Sequence, residues 1–344
     1  MKTTYFPFQN KKYSYKTLPL LLCAILGFLL CSCSFTKDSQ NQSVQDTILA
    51  FDTVVTITLY GTDDTEVLTK ALNLCKDYEA LFSRTIPGSD IYKINHASGK
   101  PTAVSPETIF LIKEALHYSE LTDGAVDITI APVRELWDFT SREQKASAAL
   151  LPDQADLKEA LSHVNYHCIQ YDETANTVTL TDPKAQIDLG FIAKGYIADS
   201  VKACLLKEGI SSAVINLGGN VLTVGKKPDG SAFRIGIEKP FATQDTLKVL
   251  SVTDKSVVTS GIYERYFRIG DTVYHHILDP KTGYPVSNSL LSVTILSDSS
   301  MEGDALSTSC LLLGFEDAKK LIEGLDGIDA VFITDDYQLH DTRK

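Results

Sequence analysis

DLGFIAKGYIADSVKACLLKEGISSAVINLGGN, residues 188–220, reads as turn, helix, strand and glycine turn in one run. A glycine turn leads into a run whose spacing predicts a helix over about 192–208. An apolar strand follows at 213–216, and Gly218-Gly219 then either turns a hairpin or lets a ligand approach the backbone closely. Downstream, strands are predicted at 233–238, 248–253, 256–259, 263–269 and 290–297. Helices are predicted at about 301–313 and 315–324, with a last strand at 329–334. Upstream, Val55, Ile57 and Leu59 alternate with Thr56, Thr58 and Tyr60, the pattern of a half-buried strand over 53–60. Leu68, Ala71, Leu72, Cys75, Tyr78, Leu81 and Phe82 recur at helical spacing. Ser105-Pro106 reads as an N-cap with proline in the first turn of a helix to about 121, and a further helix is predicted at 154–162. Helices and hairpins mix without strict βαβ alternation, so the expected class is α+β, with mixed or antiparallel sheets flanked by helices. Polar, Ala/Ser-rich residues 138–152 read as a surface loop.

The N-terminus reads as an export signal. Lys2, Lys11, Lys12 and Lys16 precede an apolar run over residues 18–30, too short to span a bilayer comfortably. It ends in Leu30-Cys31-Ser32-Cys33, which resembles the bacterial lipobox. Cys33 fits the lipidated position better than Cys31, which bulky Leu30 precedes. The expected organisation is a lipoprotein signal peptide over 1–32, a flexible Ser-, Gln- and Asp-rich tether over 33–46, and one catalytic domain over 47–344. A lipid anchor would hold that domain at the extracytoplasmic face of the cell membrane. Without residues 1–32 the chain has 28 basic against 44 acidic residues, which argues against nucleic acid as a partner. Cys75, Cys168, Cys204 and Cys310 have apolar neighbours and no metal-type spacing, so buried thiols are expected, with a disulfide among them left open by export.

The chemistry concentrates near the C-terminus. HHILDPKTGYP, residues 275–285, puts two imidazoles, an acid and a tight turn in one loop. GDALSTS, residues 303–309, offers Asp304 and Thr308 four apart, on one face if the segment is helical. Oxygen ligands of that kind suit a hard cation such as Mg²⁺, which commonly serves bound phosphates, and a nearby imidazole can take a proton from an attacking hydroxyl. Lys194 near the start of the predicted helix at 192–208 is placed to hold an anion, although the spacing is not that of a Walker A loop. In TSGIYERYF, residues 259–267, Arg265 reads as a phosphate ligand or as the partner of one of many acids. In GAVDITIAPVRELWDF, residues 124–139, Asp127 reads as a helix cap or as a site group.

These segments in this order, with FSRTIPGSDIYKIN at 82–95, resemble the ApbE family of FAD:protein FMN transferases over roughly residues 51–331. The resemblance implies a two-lobed, T-fold-related α+β domain that takes FAD, uses Mg²⁺, releases AMP and esterifies FMN onto a Ser or Thr hydroxyl of an exported acceptor protein. The family's acceptors resemble Asp-Gly-x-Thr-Ser/Gly-Ala/Ser-Thr, with the last Thr modified. Carried over, the metal-binding groups are the Asp304 and Thr308 side chains and the Phe191 backbone carbonyl. His276 is the proton-transfer residue. Flavin and adenine contacts come from Phe51, Thr85, Ala125, Val126, Asp127, Asp188, Lys194 and Ile277. The chain departs from the family pattern at Phe51-Asp52, where Met-Gly is frequent, and at Thr85, where an aromatic residue is common. Two other functions fit the same sequence features: a Mg²⁺-dependent FAD pyrophosphatase giving FMN and AMP, and a non-enzymatic flavin-binding lipoprotein.

Overall fold

The structure is a computed structural model that describes residues 42–137, 139 and 151–343. The signal peptide, Cys33 and nearly all of the segment expected to be a surface loop lie outside the described residues. The chain opens with strands β1 (Ser43–Ala50) and β2 (Thr53–Tyr60) and helices α1 (Thr65–Phe82) and α2 (Asp90–Asn95). Next come β3 (Thr102–Ala103), α3 (Pro106–Leu121), α4 (Ala131–Trp137), α5 (Gln154–Leu161), β4 (Ile169–Asp172) and β5 (Thr177–Leu180). Helix α6 (Ala193–Lys207) leads to β6 (Ser212–Leu217), β7 (Asn220–Gly225), β8 (Phe233–Lys239), β9 (Ala242–Val252) and β10 (Ser256–Gly261). The chain ends with β11 (Tyr266–Ile269), β12 (Thr272–His275), β13 (Leu290–Ser297), α7 (Ser300–Leu313), α8 (Phe315–Glu323), β14 (Asp329–Thr334) and β15 (Leu339–Asp341).

Eight strands form one antiparallel sheet in the order β1-β2-β6-β7-β10-β13-β14-β15. Helices α1, α6 and α7 cover one face, where Val55, Ile57 and Leu59 from β2 meet Leu68, Leu72, Ile197, Val201, Leu306 and Leu311. The β8–β9 hairpin covers part of the other face through Phe233, Ile237 and Leu250. A smaller core of Val133, Trp137, Phe139, Leu157, Phe267 and Leu278 supports the loop after β12, and Trp137 Nε1 donates to Gly283 O at 2.7 Å. The α+β expectation therefore stands, and the Ser105 cap holds as read, accepting from Thr108 N ahead of Pro106.

Several boundaries differ from the sequence reading. Residues 43–46, expected to belong to the tether, instead pair with β2 as the start of β1. That edge strand is mostly exposed and mixes polar with apolar residues, so it carries no clean alternation. The strand expected over 263–269 is shortened to 266–269, because residues 262–265 turn between β10 and β11. A Cβ on Gly261 would stand 2.5 Å from the Tyr263 ring. Asp127 does not cap a helix. Its carboxylate accepts from Thr129 N at 2.8 Å and from Tyr166 N at 2.9 Å, and α4 begins four residues later. Cys75, Cys168 and Cys310 are buried free thiols and Cys204 is half-buried and free, so no disulfide joins them.

Helices α6 and α7 cross in backbone contact. A Cβ on Gly195 would lie 2.2 Å from Ser300 O and 2.6 Å from Met301 Cα. At the same crossing Asp199 of α6 accepts from Ser300 N at 2.8 Å and Met301 N at 3.0 Å, capping α7 from outside that helix. Gly195→Ala should therefore force the helices apart and destabilise the protein by about 3 kcal/mol, within the range for overpacking and backbone clashes. A thermal melt checks this, with a midpoint expected to fall by at least about 5 °C.

Candidate active site

The crossing of α6 and α7 creates the centre of the site. Asp304 lies one turn into α7, is 2% exposed, and accepts from Gly195 N at 2.9 Å through Oδ2. Its other oxygen, Oδ1, faces Lys194 Nζ at 3.3 Å, and that ammonium also donates to Gly190 O at 3.1 Å. Burial pushes the Asp304 carboxyl above the usual range, while Lys194 and the Gly195 N–H pull it back. Thr308 follows one turn later, its hydroxyl 3.2 Å from Ser260 Oγ. One buried carboxylate, one hydroxyl and the Gly190 carbonyl that shares Lys194 are hard-oxygen donors. The Lys194 ammonium pairs with that carboxylate and adds positive charge beside it. The residues present therefore fit Mg²⁺. Among the described residues no group of three or more His, Cys, Asp and Glu side chains could hold a metal. A cation here would take its remaining ligands from backbone, water and a bound substrate.

The β11–β12 hairpin delivers the second half of the site. Its register pairs Tyr266 with His275, and one step on His276 N donates to Arg265 O at 3.1 Å. His275 is 3% exposed and its Nε2 lies 3.1 Å from Val286 O, so it braces the loop. His276 stands at the cleft. Burial, then Arg265, His275 and Arg134, lower its pKa to about 3, so the ring is neutral at physiological pH. Its Nδ1 is buried without a partner. Arg265 also ties the site to the β1–β2 turn, donating through Nη2 to Asp52 O at 3.1 Å. Phe51 and Asp52 both have φ of 55°, and Phe51 N donates to Glu79 Oε1 at 2.6 Å. Two central residues at positive φ make the tight hairpin turn that normally recruits Asn or Gly, so the non-glycine pair costs roughly 1–3 kcal/mol per residue, offset by these tethers.

These groups share a cleft of about 1270 Å³. Ligand pockets commonly hold about 300–1,000 Å³, so the cleft has room for a dinucleotide and part of a second reactant. Phe51, Thr85, Val126, Asp127, Asp188, Phe191, Lys194, His276, Ile277, Asp304 and Thr308 all line it. Ala125 does not. It sits in the turn after α3 with its N–H bonded to Thr122 O at 3.0 Å. Asp188 is held by Arg134 and by Arg84 Nε at 3.3 Å, and Gly190 N donates to its Oδ1 at 2.8 Å. Burial opposes its charge, but Arg134 and Arg84 keep its carboxyl below the usual range. Sequence reasoning missed Arg84 and Arg134. Both lie inside the quoted motifs, yet nothing in the spacing links them to Asp188. It also missed Glu264, whose carboxyl stands in the cleft. The surrounding cleft walls push that carboxyl up, against the pull of Lys194 and Arg265, although the residue keeps a solvent-exposed face.

A cleft that combines an acid–hydroxyl pair on one helix, an imidazole, and the cations Lys194, Arg84, Arg134 and Arg265 is that of an enzyme handling phosphate groups. The chain belongs to the ApbE family, whose sequence model matches residues 51–332. It is 37% identical over 298 residues to a protein of Klebsiella pneumoniae named FAD:protein FMN transferase, covering 86% of this chain and 90% of that protein. A protein of the same name from Treponema pallidum is 33% identical over 284 residues, covering 78% and 77%. The crystal structure of the ApbE protein from Thermotoga maritima superposes with a TM-score of 0.78 at 31% identity, over 88% of this chain and 97% of that one. The flavin transferase ApbE from Vibrio cholerae gives 0.76 at 28% identity, over 87% and 96%.

Proposed function

We propose that this chain transfers FMN from FAD to a Ser or Thr hydroxyl of an exported acceptor protein, releases AMP, and depends on Mg²⁺. The observation that carries the reading is Asp304, buried and balanced by Lys194, one turn from Thr308 and in the same cleft as His276. Asp304, Thr308 and the Phe191 carbonyl would hold the cation, which when bound supplies charge neutralisation at the diphosphate. The other groups act by position and charge, as phosphoryl transfer requires. Lys194 and Arg265 neutralise the diphosphate oxygens. Phe51, Val126 and Ile277 form apolar walls for the ring systems and keep water out. Thr85 and Asp188 hold polar edges, and the Asp188 position is fixed by Arg84 and Arg134.

His276 enters neutral and takes the acceptor hydroxyl's proton on a ring nitrogen as the oxygen attacks the phosphorus nearer the flavin. The bond from that phosphorus to the AMP oxygen breaks as the new ester bond forms. An imidazole as weakly basic as this one needs help. Burial depresses it first and Arg265 next, and a bound diphosphate beside Arg265 offsets that second cause, restoring part of its basicity when the substrate is present. Mixing the protein with FAD and Mg²⁺ and measuring AMP tests the enzymatic reading. Absence of AMP under saturating FAD and acceptor would leave only a flavin-binding role.

The anchor is part of the same proposal. Cys33, lipidated, would hold the domain outside the membrane within reach of exported acceptors. Cys33→Ala is expected to lose lipid labelling and leave the membrane fraction, and retained labelling would point to Cys31.

A further inference from the structure

The cleft extends beyond the phosphate-handling groups. It continues past the Gly218-Gly219 turn to Val214 and Asn216 on the outer face of the sheet, where Arg234, Ile235, Gly236 and Glu238 of β8 line its far wall. Those residues come from both faces of the strand, the lining expected where a strand presents its edge to a cleft. β8 pairs with β9 alone, and among the described residues its backbone makes no hydrogen bond to any other segment. An unpaired edge beside a cleft is a template for an added strand. Gly236 lies mid-strand and is exposed, leaving room for a neighbouring backbone to approach closely. Close by, Leu49 and Val54 pair across the β1–β2 hairpin at 81% and 51% exposure, an apolar shoulder without cover from the described residues.

We infer that the acceptor polypeptide docks as an extended strand on the free edge of β8, with its hydroxyl-bearing residue passing the Gly218-Gly219 turn toward His276. The inference rests on the proposed transfer to a protein hydroxyl, which requires a polypeptide in this cleft alongside FAD. It commits to the acceptor as occupant because this edge, unlike the outer edges at β1 and β15, lines the cleft that holds Lys194, Asp304 and His276. Main-chain bonding would supply affinity with little dependence on acceptor side chains.

The test is amide hydrogen exchange on the full-length protein loaded with FAD, without Mg²⁺ to prevent turnover. An acceptor domain carrying Asp-Gly-x-Thr-Ser-Ala-Thr is added in excess. Exchange over 233–238 should slow by about tenfold or more. Protection confined to β1 or to β14–β15, or none in β8 while the acceptor is bound, would overturn the inference. Two variants give a second reading, because adjacent N–H groups of a strand point to opposite edges. Of Ile235→Pro and Gly236→Pro, one should raise the acceptor KM by about tenfold at unchanged FAD affinity, and the other should mainly lower the melting temperature. Unchanged KM in both would also overturn it. If the wild-type protein modified no acceptor at all, the transfer reading itself would fall, and this inference with it.

Discussion

Asp304→Ala is expected to cut Mg²⁺-dependent turnover by roughly 10³-fold, comparable with losing a main electrostatic group at a reacting centre. The substitution removes the only acidic side chain of the proposed donor set and leaves Thr308 and a backbone carbonyl. It also removes the Oδ1 partner of Lys194 and the Oδ2 acceptor of Gly195 N. The freed ammonium remains bonded to Gly190 O and reaches the cleft, so the fold should persist. Two measurements read this separately. Isothermal titration with Mg²⁺ should show binding lost, and a melt should show a folded protein. AMP release near the wild-type rate at limiting Mg²⁺ would refute the assignment of Asp304.

His276→Ala should lower turnover by about 10²–10⁴-fold, the usual contribution of a positioned general base, while FAD affinity changes little. The reason lies in the timing of the interaction. In the proposed transfer the neutral imidazole would meet the acceptor proton only as the bond forms, so its loss falls on the transition state. His275→Ala is the control. With His275 buried and bonded to Val286 O, its loss should appear first as reduced stability of the loop over 276–286. An active His276→Ala beside a folded but inactive His275→Ala would exchange the two roles.

Much of this site is legible in the sequence because its key groups sit inside short, regular elements. Asp304 and Thr308 are read correctly as one helical face, since an i, i+4 pair needs only the local period, and the glycine turn ahead of α6 announces Lys194. What is not legible depends on long-range pairing. His276 reaches the cleft because the β11–β12 register sets it beside Arg265, and a hairpin joined at Gly270-Asp271 carries no strong periodic signal over four-residue strands. Asp188 meets Arg134 and Arg84 across 54 and 104 residues, so two basic residues in quoted motifs gave no hint of a shared carboxylate. Glu264 was passed over beside Arg265, although its side chain enters the same cleft. The first half of β1, residues 43–46, reads as tether because an edge strand exposed on much of both faces loses the alternation that marks a half-buried one.

Intact mass spectrometry of an acceptor reads the proposed transfer of FMN to a protein hydroxyl without an intermediary. An acceptor bearing Asp-Gly-x-Thr-Ser-Ala-Thr, incubated with the enzyme, FAD and Mg²⁺, should gain the mass of one phosphoester-linked FMN, with one AMP released per flavin attached. Free FMN should be a minor product, because a docked hydroxyl has a large effective concentration over a poorly placed water. The same acceptor with its last Thr changed to Val should gain nothing. FAD consumed to free FMN and AMP at one rate with or without acceptor, and no acceptor mass gained, would contradict transfer and identify a hydrolase.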